Sequence, residues 1–145
     1  MRISDNLIDD IANAPEWFFN AIKIEPTECE IKNQNGNLSY SKWVCDSKNK
    51  NLLIFIHGTG AHKKWWYPIA PHFIENSNVI AVDLPGMGDS GFREKYSIKD
   101  FGQCIISIIE KEKLNMSIDS VFIVGHSLGG QVAAYVASEK KDLVS

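Results

Sequence analysis

Three short runs of apolar residues constrain the fold of this chain more than any other feature of its sequence. They are Leu-Leu-Ile-Phe-Ile at residues 52–56, Val-Ile-Ala-Val at residues 79–82 and Val-Phe-Ile-Val at residues 121–124. None of them alternates with polar residues, which is typical of strands buried on both faces of a parallel sheet. Longer segments with helical spacing separate the runs. This alternation predicts an α/β fold with right-handed crossovers.

The segment between the first two runs carries a helix signal. Trp65, Ile69 and Phe73 fall four residues apart, so they would share one face of a helix. Pro68 and Pro71 limit where that helix can begin, because proline suits only a first turn.

A clearer helix is predicted between the second and third runs. Ser97 and Asp100 form a capping-box pattern, which marks a helix start. The apolar residues that would line one side of this helix are Ile98, Phe101, Ile105, Ile108 and Ile109. After the third run, a further helix is predicted at about residues 128–140.

The residues before the first run have a different character. Asn35-Gly36 lies between two short segments with alternating apolar residues, which is a strong hairpin signal. We predict an antiparallel pair at about residues 27–33 and 38–45. An irregular apolar pattern over residues 7–22 predicts one or two short helices.

Composition excludes several classes of protein. The 145 residues include 15 Lys and Arg against 18 Asp and Glu, for a net charge of −3, which gives no reason to expect binding to nucleic acid or to an anionic membrane. No apolar run is long enough to span a bilayer, and residues 1–10 do not resemble a signal peptide. The three cysteines form no CxxC pair, which favours free thiols in a reducing cytoplasm and predicts no metal.

The strongest chemical signal follows the third run. Residues 125–130 read Gly-His-Ser-Leu-Gly-Gly, a G-x-S-x-G motif between a predicted strand and a predicted helix. In this context the motif predicts a nucleophile elbow, a sharp turn that exposes the Ser127 hydroxyl above the sheet. Gly125 and Gly129 would let the strand and the helix pass closely. The alternative is an ordinary glycine-rich turn with a bystander serine.

A second signal, His57-Gly58-Thr59-Gly60, directly follows the first run. A tight loop there can turn a backbone N–H toward the same point above the sheet. The amides of Thr59 and Leu128 are therefore predicted to form an oxyanion hole. We interpret His57 as a structural histidine that bonds to the loop backbone, and His126 as structural or pocket-lining.

Other motifs receive weaker interpretations. Residues 86–91 match G-x-G-x-x-G, but a dinucleotide site would need a helix that opens inside the motif and a later strand that ends in an acid. We therefore predict no cofactor and interpret the segment as a flexible loop over the sheet end. Residues 65–67, Trp-Trp-Tyr, fit helix packing better than a pocket lining. Lys63 and Lys64 are expected on a solvated face.

Together these residues resemble the α/β-hydrolase family. The stretch HGTGAHKKWWYPIAPHF is similar to its oxyanion loop and first helix, VIAVDLPGMGDSG to its next strand and loop, and VFIVGHSLGGQVAAYVA to its nucleophile strand, elbow and helix. PEWFFNAIKIEP and the hairpin are similar to the start of single-domain members. The resemblance implies a serine hydrolase of esters, amides or C–C bonds in small carbonyl compounds. Ser127 would be its nucleophile, and Thr59 and Leu128 its oxyanion donors.

The resemblance breaks after the elbow. The family order is nucleophile, acid, then histidine, but residues 128–145 contain Glu139 and Asp142 and no histidine. We therefore expect the N-terminal part of an α/β-hydrolase fold, truncated after the nucleophile helix. It would be one domain over residues 1–145, with a helical segment at 1–25, the hairpin at 26–45 and the β/α core at 51–145.

Such a truncation would leave one side of the nucleophile strand unpaired and apolar, and an unpaired edge invites pairing with another chain. Four hypotheses remain open. The chain is part of a serine hydrolase, a catalytically inactive hydrolase-like binding protein, an incomplete product that does not fold stably, or a chain completed by a partner at this edge.

Overall fold

The computed structural model describes residues 13–33, 36–45 and 50–145. Its strands are β1 (Thr27–Asn33), β2 (Gly36–Trp43), β3 (Asn51–Ile56), β4 (Asn78–Val82) and β5 (Ser120–Gly125). They form one sheet in the order β1-β2-β4-β3-β5. β2 is antiparallel to β1 and β4, whereas β3 is parallel to β4 and β5. The predicted α/β fold, a hairpin joined to parallel strands, is confirmed.

The hairpin is antiparallel as predicted, but its second strand begins earlier. Asn33 pairs with Gly36, so β2 covers Gly36–Trp43 instead of residues 38–45. The sequence pattern places Gly36 in the turn, whereas the structure makes it the first residue of β2, with a φ of 106° that favours glycine. Residues 34–35, which join the strands, lie outside the described residues.

One short helix, α1 (Glu16–Ile22), precedes the hairpin. It falls within the range predicted to be helical, of which residues 1–12 lie outside the described residues. The Trp17 ring packs 5.7 Å from that of His72, and the Ile24 carbonyl accepts a hydrogen bond from Trp43 Nε1 at 2.9 Å. These contacts attach the helix and the residues after it to the sheet.

Two longer helices, α2 (Ile98–Asn115) and α3 (Leu128–Glu139), cover one face of the sheet. The Ser97 hydroxyl accepts a hydrogen bond from the Asp100 amide at 3.1 Å, so the predicted cap is confirmed. The predicted apolar side of α2 faces the core: Phe101, Ile105, Ile108 and Ile109 are buried and Ile98 is partly buried. No helix in the described part of the chain is long and apolar enough to cross a membrane.

The crossover between β3 and β4 differs from the prediction. Instead of one helix, it contains two short 3-10 helices, Lys63–Trp66 and Ala70–Phe73. The residues predicted to share one helix face are 37–49% exposed: Trp65, Ile69 and Phe73. Proline offers a physical reason, because Pro68 and Pro71 lack the N–H that an α-helix interior requires.

β5 also differs from the prediction of a strand buried on both faces. Val121 is fully buried, but Phe122 and Val124 on the opposite face are 42% and 41% exposed. Among the described strands, β5 pairs only with β3, and it therefore forms one edge of the sheet. The Ser145 amide donates a hydrogen bond of 2.9 Å to the Val121 carbonyl.

Candidate active site

Ser127 stands at the junction of β5 and α3 in a strained conformation. Its φ is 53° and its ψ is −115°, and among the described residues it is the only one other than glycine with a positive φ. Such a conformation costs of order 1–3 kcal/mol for a residue with a side chain. Strain of this kind persists only where the surroundings enforce it, and here two close backbone approaches do so.

Gly125 and Gly129 make those approaches. A Cβ atom on Gly125 would overlap the Gly129 carbonyl, and one on Gly129 would overlap the carbonyls of Ile56 and His57. Since these obstacles are backbone atoms, they cannot turn aside as a side chain can. A Cβ on Gly130 would instead lie 3.4 Å from its nearest neighbour. The elbow therefore depends on the first two glycines.

The loop after β3 lies directly against the elbow. A Cβ on Gly58 would be 3.2 Å from the Ser127 Cβ, which shows how closely the two segments approach. The Ala61 amide donates to the Gly58 carbonyl at 3.2 Å, and this closes a turn in which Gly60 has a φ of 75°. Within the described part of the chain, the amides of Thr59 and Leu128 donate to no other backbone group.

His57 is a buried structural histidine, as predicted. Its Nε2 accepts a hydrogen bond from the Leu84 amide at 3.1 Å, so this nitrogen carries no proton. Its Nδ1 then carries the proton and donates to the Gly58 carbonyl at 2.7 Å. Burial lowers the pKa of His57, despite the opposing effects of the Gly58 carbonyl and of Asp83. Both nitrogens are occupied, so this ring is not free to act as a base.

The other rings near the elbow differ in their packing, because Trp66 and Tyr67 are packed whereas Trp65 is half exposed. The His126 ring packs edge-on against Trp65, with centroids 4.7 Å apart. Trp66 stacks on Phe55 at 4.8 Å, and Tyr67 packs against Trp43 at 5.3 Å. Packing is therefore the role of Trp66 and Tyr67, as predicted. Trp65 remains 49% exposed beside the elbow.

The prediction that Lys63 lies on a solvated face is wrong, although it holds for the exposed Lys64. Lys63 is 1% exposed, and its Nζ contacts Ser39 Oγ at 2.6 Å and Asp89 Oδ2 at 2.7 Å. The same atom lies 3.1 Å from Asp83 Oδ2 and 3.2 Å from Glu28 Oε2. We call these five residues, Glu28, Ser39, Lys63, Asp83 and Asp89, the Lys63 cluster.

Charge pairing governs the pKa values in this cluster. Burial by itself would lower the pKa of Lys63, but the hydrogen bond to Asp89 and the charge of Asp83 outweigh it and raise the pKa. The Lys63 hydrogen bond lowers the pKa of Asp89. Burial would raise the pKa of Glu28, but hydrogen bonds from Tyr67, Ser41 and Lys63 lower it. Lys63, Asp89 and Glu28 are therefore ionised at neutral pH.

The glycine-rich segment at residues 86–91 is a loop over the sheet end, as predicted, but hydrogen bonds tie it to its neighbours, contrary to the predicted flexibility. No helix opens inside it, because α2 begins only at Ile98. The loop is held in place and does not stand free. The Ser90 hydroxyl donates to the Asp83 carbonyl at 2.7 Å and accepts from the Ser39 amide at 2.8 Å. A Cβ on Gly88 would overlap the Asp83 carboxylate.

Little in the sequence pattern predicted the Lys63 cluster. Asp83 directly follows β4, at the sheet end where functional side chains collect, and that position is a signal. Lys63 offered none, because it lies in a polar run between two exposed residues, His62 and Lys64. Its burial depends on partners more than 19 residues away in the sequence.

The three cysteines lie outside the elbow at residues 125–130. No disulfide joins Cys29, Cys45 and Cys104. The Cys104 sulfur accepts a hydrogen bond from the Arg93 guanidinium at 3.0 Å, away from the elbow on α2. Among the described residues, no group of three or more His, Cys, Asp or Glu side chains is arranged to hold a metal ion.

Comparison with known proteins identifies the class. Residues 51–145 match the family model of the alpha/beta hydrolase fold. The chain therefore belongs to the α/β-hydrolase family.

Individual relatives agree with this membership. Over 93 residues the chain is 31% identical to (E)-2-((N-methylformamido)methylene)succinate hydrolase of Acinetobacter baylyi, which covers 63% of this chain and 34% of that protein. Over 87 residues it is 30% identical to pimeloyl-[acyl-carrier protein] methyl ester esterase of Pseudoalteromonas atlantica. This match covers 59% of this chain and 31% of that protein. Among solved structures, a bacterial membrane phospholipase A matches with a TM-score of 0.72 and 25% identity, covering 96% of this chain and 42% of that one. The chain thus spans about a third of the length of these curated relatives.

Proposed function

We propose that this chain carries the nucleophile and the oxyanion donors of a serine hydrolase that acts on an ester, amide or C–C bond of a small carbonyl compound. The observation that carries the proposal is the strained conformation of Ser127 at the start of α3, with a φ of 53°. This strain has a function if the turn presents the hydroxyl to a substrate. The named activity of the Pseudoalteromonas relative, a methyl ester esterase, supports an ester as the first substrate class to test.

The chemistry follows from the elbow. Ser127 Oγ would attack the carbonyl carbon of the substrate, form a C–O bond and shift the carbonyl electron pair onto oxygen. The amides of Thr59 and Leu128 would donate to that oxyanion, and each such donor typically contributes a few kcal/mol. The positive end of the twelve-residue helix α3 would lie beside the same oxygen and stabilise its charge.

A serine nucleophile also needs a base that accepts its proton. His57 does not qualify, because both of its ring nitrogens bond to the backbone. Residues 128–145 contain no histidine. The family order places the acid and the histidine after the nucleophile, so the proposal takes the base from further polypeptide, either of the same protein or of a partner that pairs with the β5 edge.

A second candidate is a hydrolase-like protein that binds a carbonyl compound without turnover. The observation that favours it is that both ring nitrogens of His57 bond to the backbone, so the elbow has no base in this histidine. It predicts that a small ester or acid binds saturably and raises the midpoint of thermal unfolding. No substrate would then be consumed, with or without an added base.

Reaction with a fluorophosphonate separates the candidates. The intact mass of the 145-residue chain is measured before and after the reagent, in buffer with and without imidazole as an external base. We expect one adduct whose formation imidazole accelerates. It should be lost in Ser127→Ala and kept in Ser138→Ala, a control at an exposed serine on α3. An adduct that survives in Ser127→Ala, or none from a folded sample even with imidazole, would contradict the proposal.

A further inference from the structure

We infer that Lys63 is a positioning residue for the Thr59 amide, through the buried carboxylate of Asp83. This inference rests on the proposed function, because Thr59 matters to catalysis only if Ser127 is the nucleophile. The contacts that hold the loop at residues 57–63 are independent of that function.

The loop is clamped at both ends to the two residues that follow β4. At its start, His57 Nε2 accepts from the Leu84 amide at 3.1 Å. At its end, the Lys63 amide donates to Asp83 Oδ1 at 2.6 Å. The turn that carries Thr59 lies between these clamps. Its position relative to Ser127 therefore depends on how firmly both clamps hold.

The second clamp depends on a carboxylate that must be neutralised. Asp83 is 1% exposed, and a buried charge without a partner is strongly destabilising. The Lys63 ammonium supplies that partner through its contact at 3.1 Å. One residue thus acts twice on Asp83, with its backbone amide on Oδ1 and its side chain on Oδ2.

The same ammonium joins the loop to two other segments. It contacts Asp89 at 2.7 Å in the glycine-rich loop and Ser39 at 2.6 Å in β2. The Asp89 amide in turn donates to Asp83 Oδ2 at 2.9 Å. Without the ammonium, Asp83 and Asp89 would repel each other, and the end of the loop would lose the anion to which its amide is bonded.

An oxyanion donor that moves away from the reacting oxygen loses its effect steeply. Removal of one such donor typically costs 100-fold or more in rate, and misplacement by about 1 Å has a comparable cost. The Lys63 side chain is 1% exposed, so it is not placed to contact a substrate directly. It acts through the loop, so its loss should slow the reaction at Ser127 without abolishing it.

The test compares Lys63→Met with Lys64→Met, which removes the same charge from the exposed neighbouring position. Asp89→Asn is a milder variant, because the Asp89 side chain is 68% exposed and the buried Lys63 ammonium keeps its contacts with Asp83 and Glu28. Each protein is assayed by urea unfolding, by amide hydrogen exchange over residues 57–62, and by the rate of fluorophosphonate labelling of Ser127 with imidazole present.

We expect labelling to be about 10- to 100-fold slower in folded Lys63→Met and about two- to fivefold slower in Asp89→Asn. Exchange over residues 57–62 should be faster in both, and Lys64→Met should match the unmodified chain. If Lys63→Met does not fold, the comparison of Asp89→Asn with Lys64→Met tests the inference instead. The inference is overturned if the tested variant shows the same exchange and the same labelling rate as Lys64→Met. If the unmodified chain is not labelled, the proposed function fails, and the exchange comparison alone decides whether Lys63 holds the loop.

Discussion

The two faces of the sheet are covered unequally. One face lies under α2 and α3, which have 18 and 12 residues, and the side chains of the central strands beneath them are buried. The other face lies under α1 and two 3-10 helices of four residues each, and it leaves Phe122 and Val124 about two-fifths exposed. The elbow belongs to the first face, because α3 begins at Leu128.

This difference shows where the geometry of the site originates. Ser127 is held in its strained conformation by contacts between β5, β3 and α3, and of these elements α3 packs on the well-covered face. The Lys63 cluster fixes the neighbouring loops by hydrogen bonds and charge pairs. The partly covered face contributes packing of Trp66 on Phe55 and, beside the elbow, of Trp65 on His126. We therefore expect substitutions on the two faces to have very different effects.

The largest effect is expected at the contact of α3 with β3. Gly129→Ala would force a Cβ into the backbone carbonyls of Ile56 and His57. It should lower the free energy of unfolding by about 3 kcal/mol or more, since the obstacle is backbone. Gly130→Ala, one residue along, should be neutral or stabilise by up to about 1 kcal/mol through helix propensity. Urea unfolding measures both, and equal effects would show that the close approach is not required.

Within β5 itself, substitution of one valine on each face compares how much each face contributes to stability. Val121→Ala opens a cavity on the covered face and should cost about 2–3 kcal/mol, because Val121 is fully buried. Val124→Ala removes the same atoms from a position that is 41% exposed, and it should cost under about 1 kcal/mol. If urea unfolding shows similar losses in the free energy of unfolding for both variants, the second face is covered in solution.

A pH dependence is expected from His57, at the end of β3. Burial holds its pKa below its ordinary value of 6.5, so the folded chain keeps the ring neutral where the unfolded chain protonates it. Stability is therefore full above pH 6.5 and falls as the pH drops below it, by up to about 1.4 kcal/mol per pH unit until the folded pKa is reached. Urea unfolding between pH 7.5 and 5.5 should show this slope, and a slope unchanged in His57→Gln would assign it to another group.

The smallest effect on stability is expected where the second face meets the open edge. Phe122→Lys places a charge beside the unpaired edge of β5 and should change the free energy of unfolding by less than about 1 kcal/mol. It should, however, reduce concentration-dependent self-association in sedimentation experiments. Leu114→Lys, at a residue on α2 that is 89% exposed, is the control and should leave association unchanged. Equal behaviour of the two variants would show that this edge does not drive association.

Some parts of the fold were predictable because their signals are local. The capping pair Ser97 and Asp100 needs only three residues of spacing to mark the start of α2, and the structure shows their hydrogen bond at 3.1 Å. The hairpin followed from alternation on either side of Asn35-Gly36. The serine in G-x-S-x-G was located by a strand before it and a helix after it.

Other parts failed because distant residues decide them. Four-residue spacing predicted one helix over residues 65–73, but two prolines and the sheet beneath left only 3-10 turns. The apolar run at residues 121–124 predicted burial on both faces, yet burial depends on what lies above each face. The spacing of residues along one segment does not show which other segments pack beneath it or above it.

The sequence by itself determined the order of the strands and of the two long helices, the turn at residues 125–130 and the candidate nucleophile Ser127, because each depends on residues adjacent in the chain. Only the tertiary structure decided that Lys63 is buried while Lys64 is exposed. The sheet order places β2 beside β4 and β4 beside β3, and this brings Ser39, Asp83 and Asp89 around one ammonium. A buried charge must find its partners in space, and those partners lie on segments that only the folded sheet brings together.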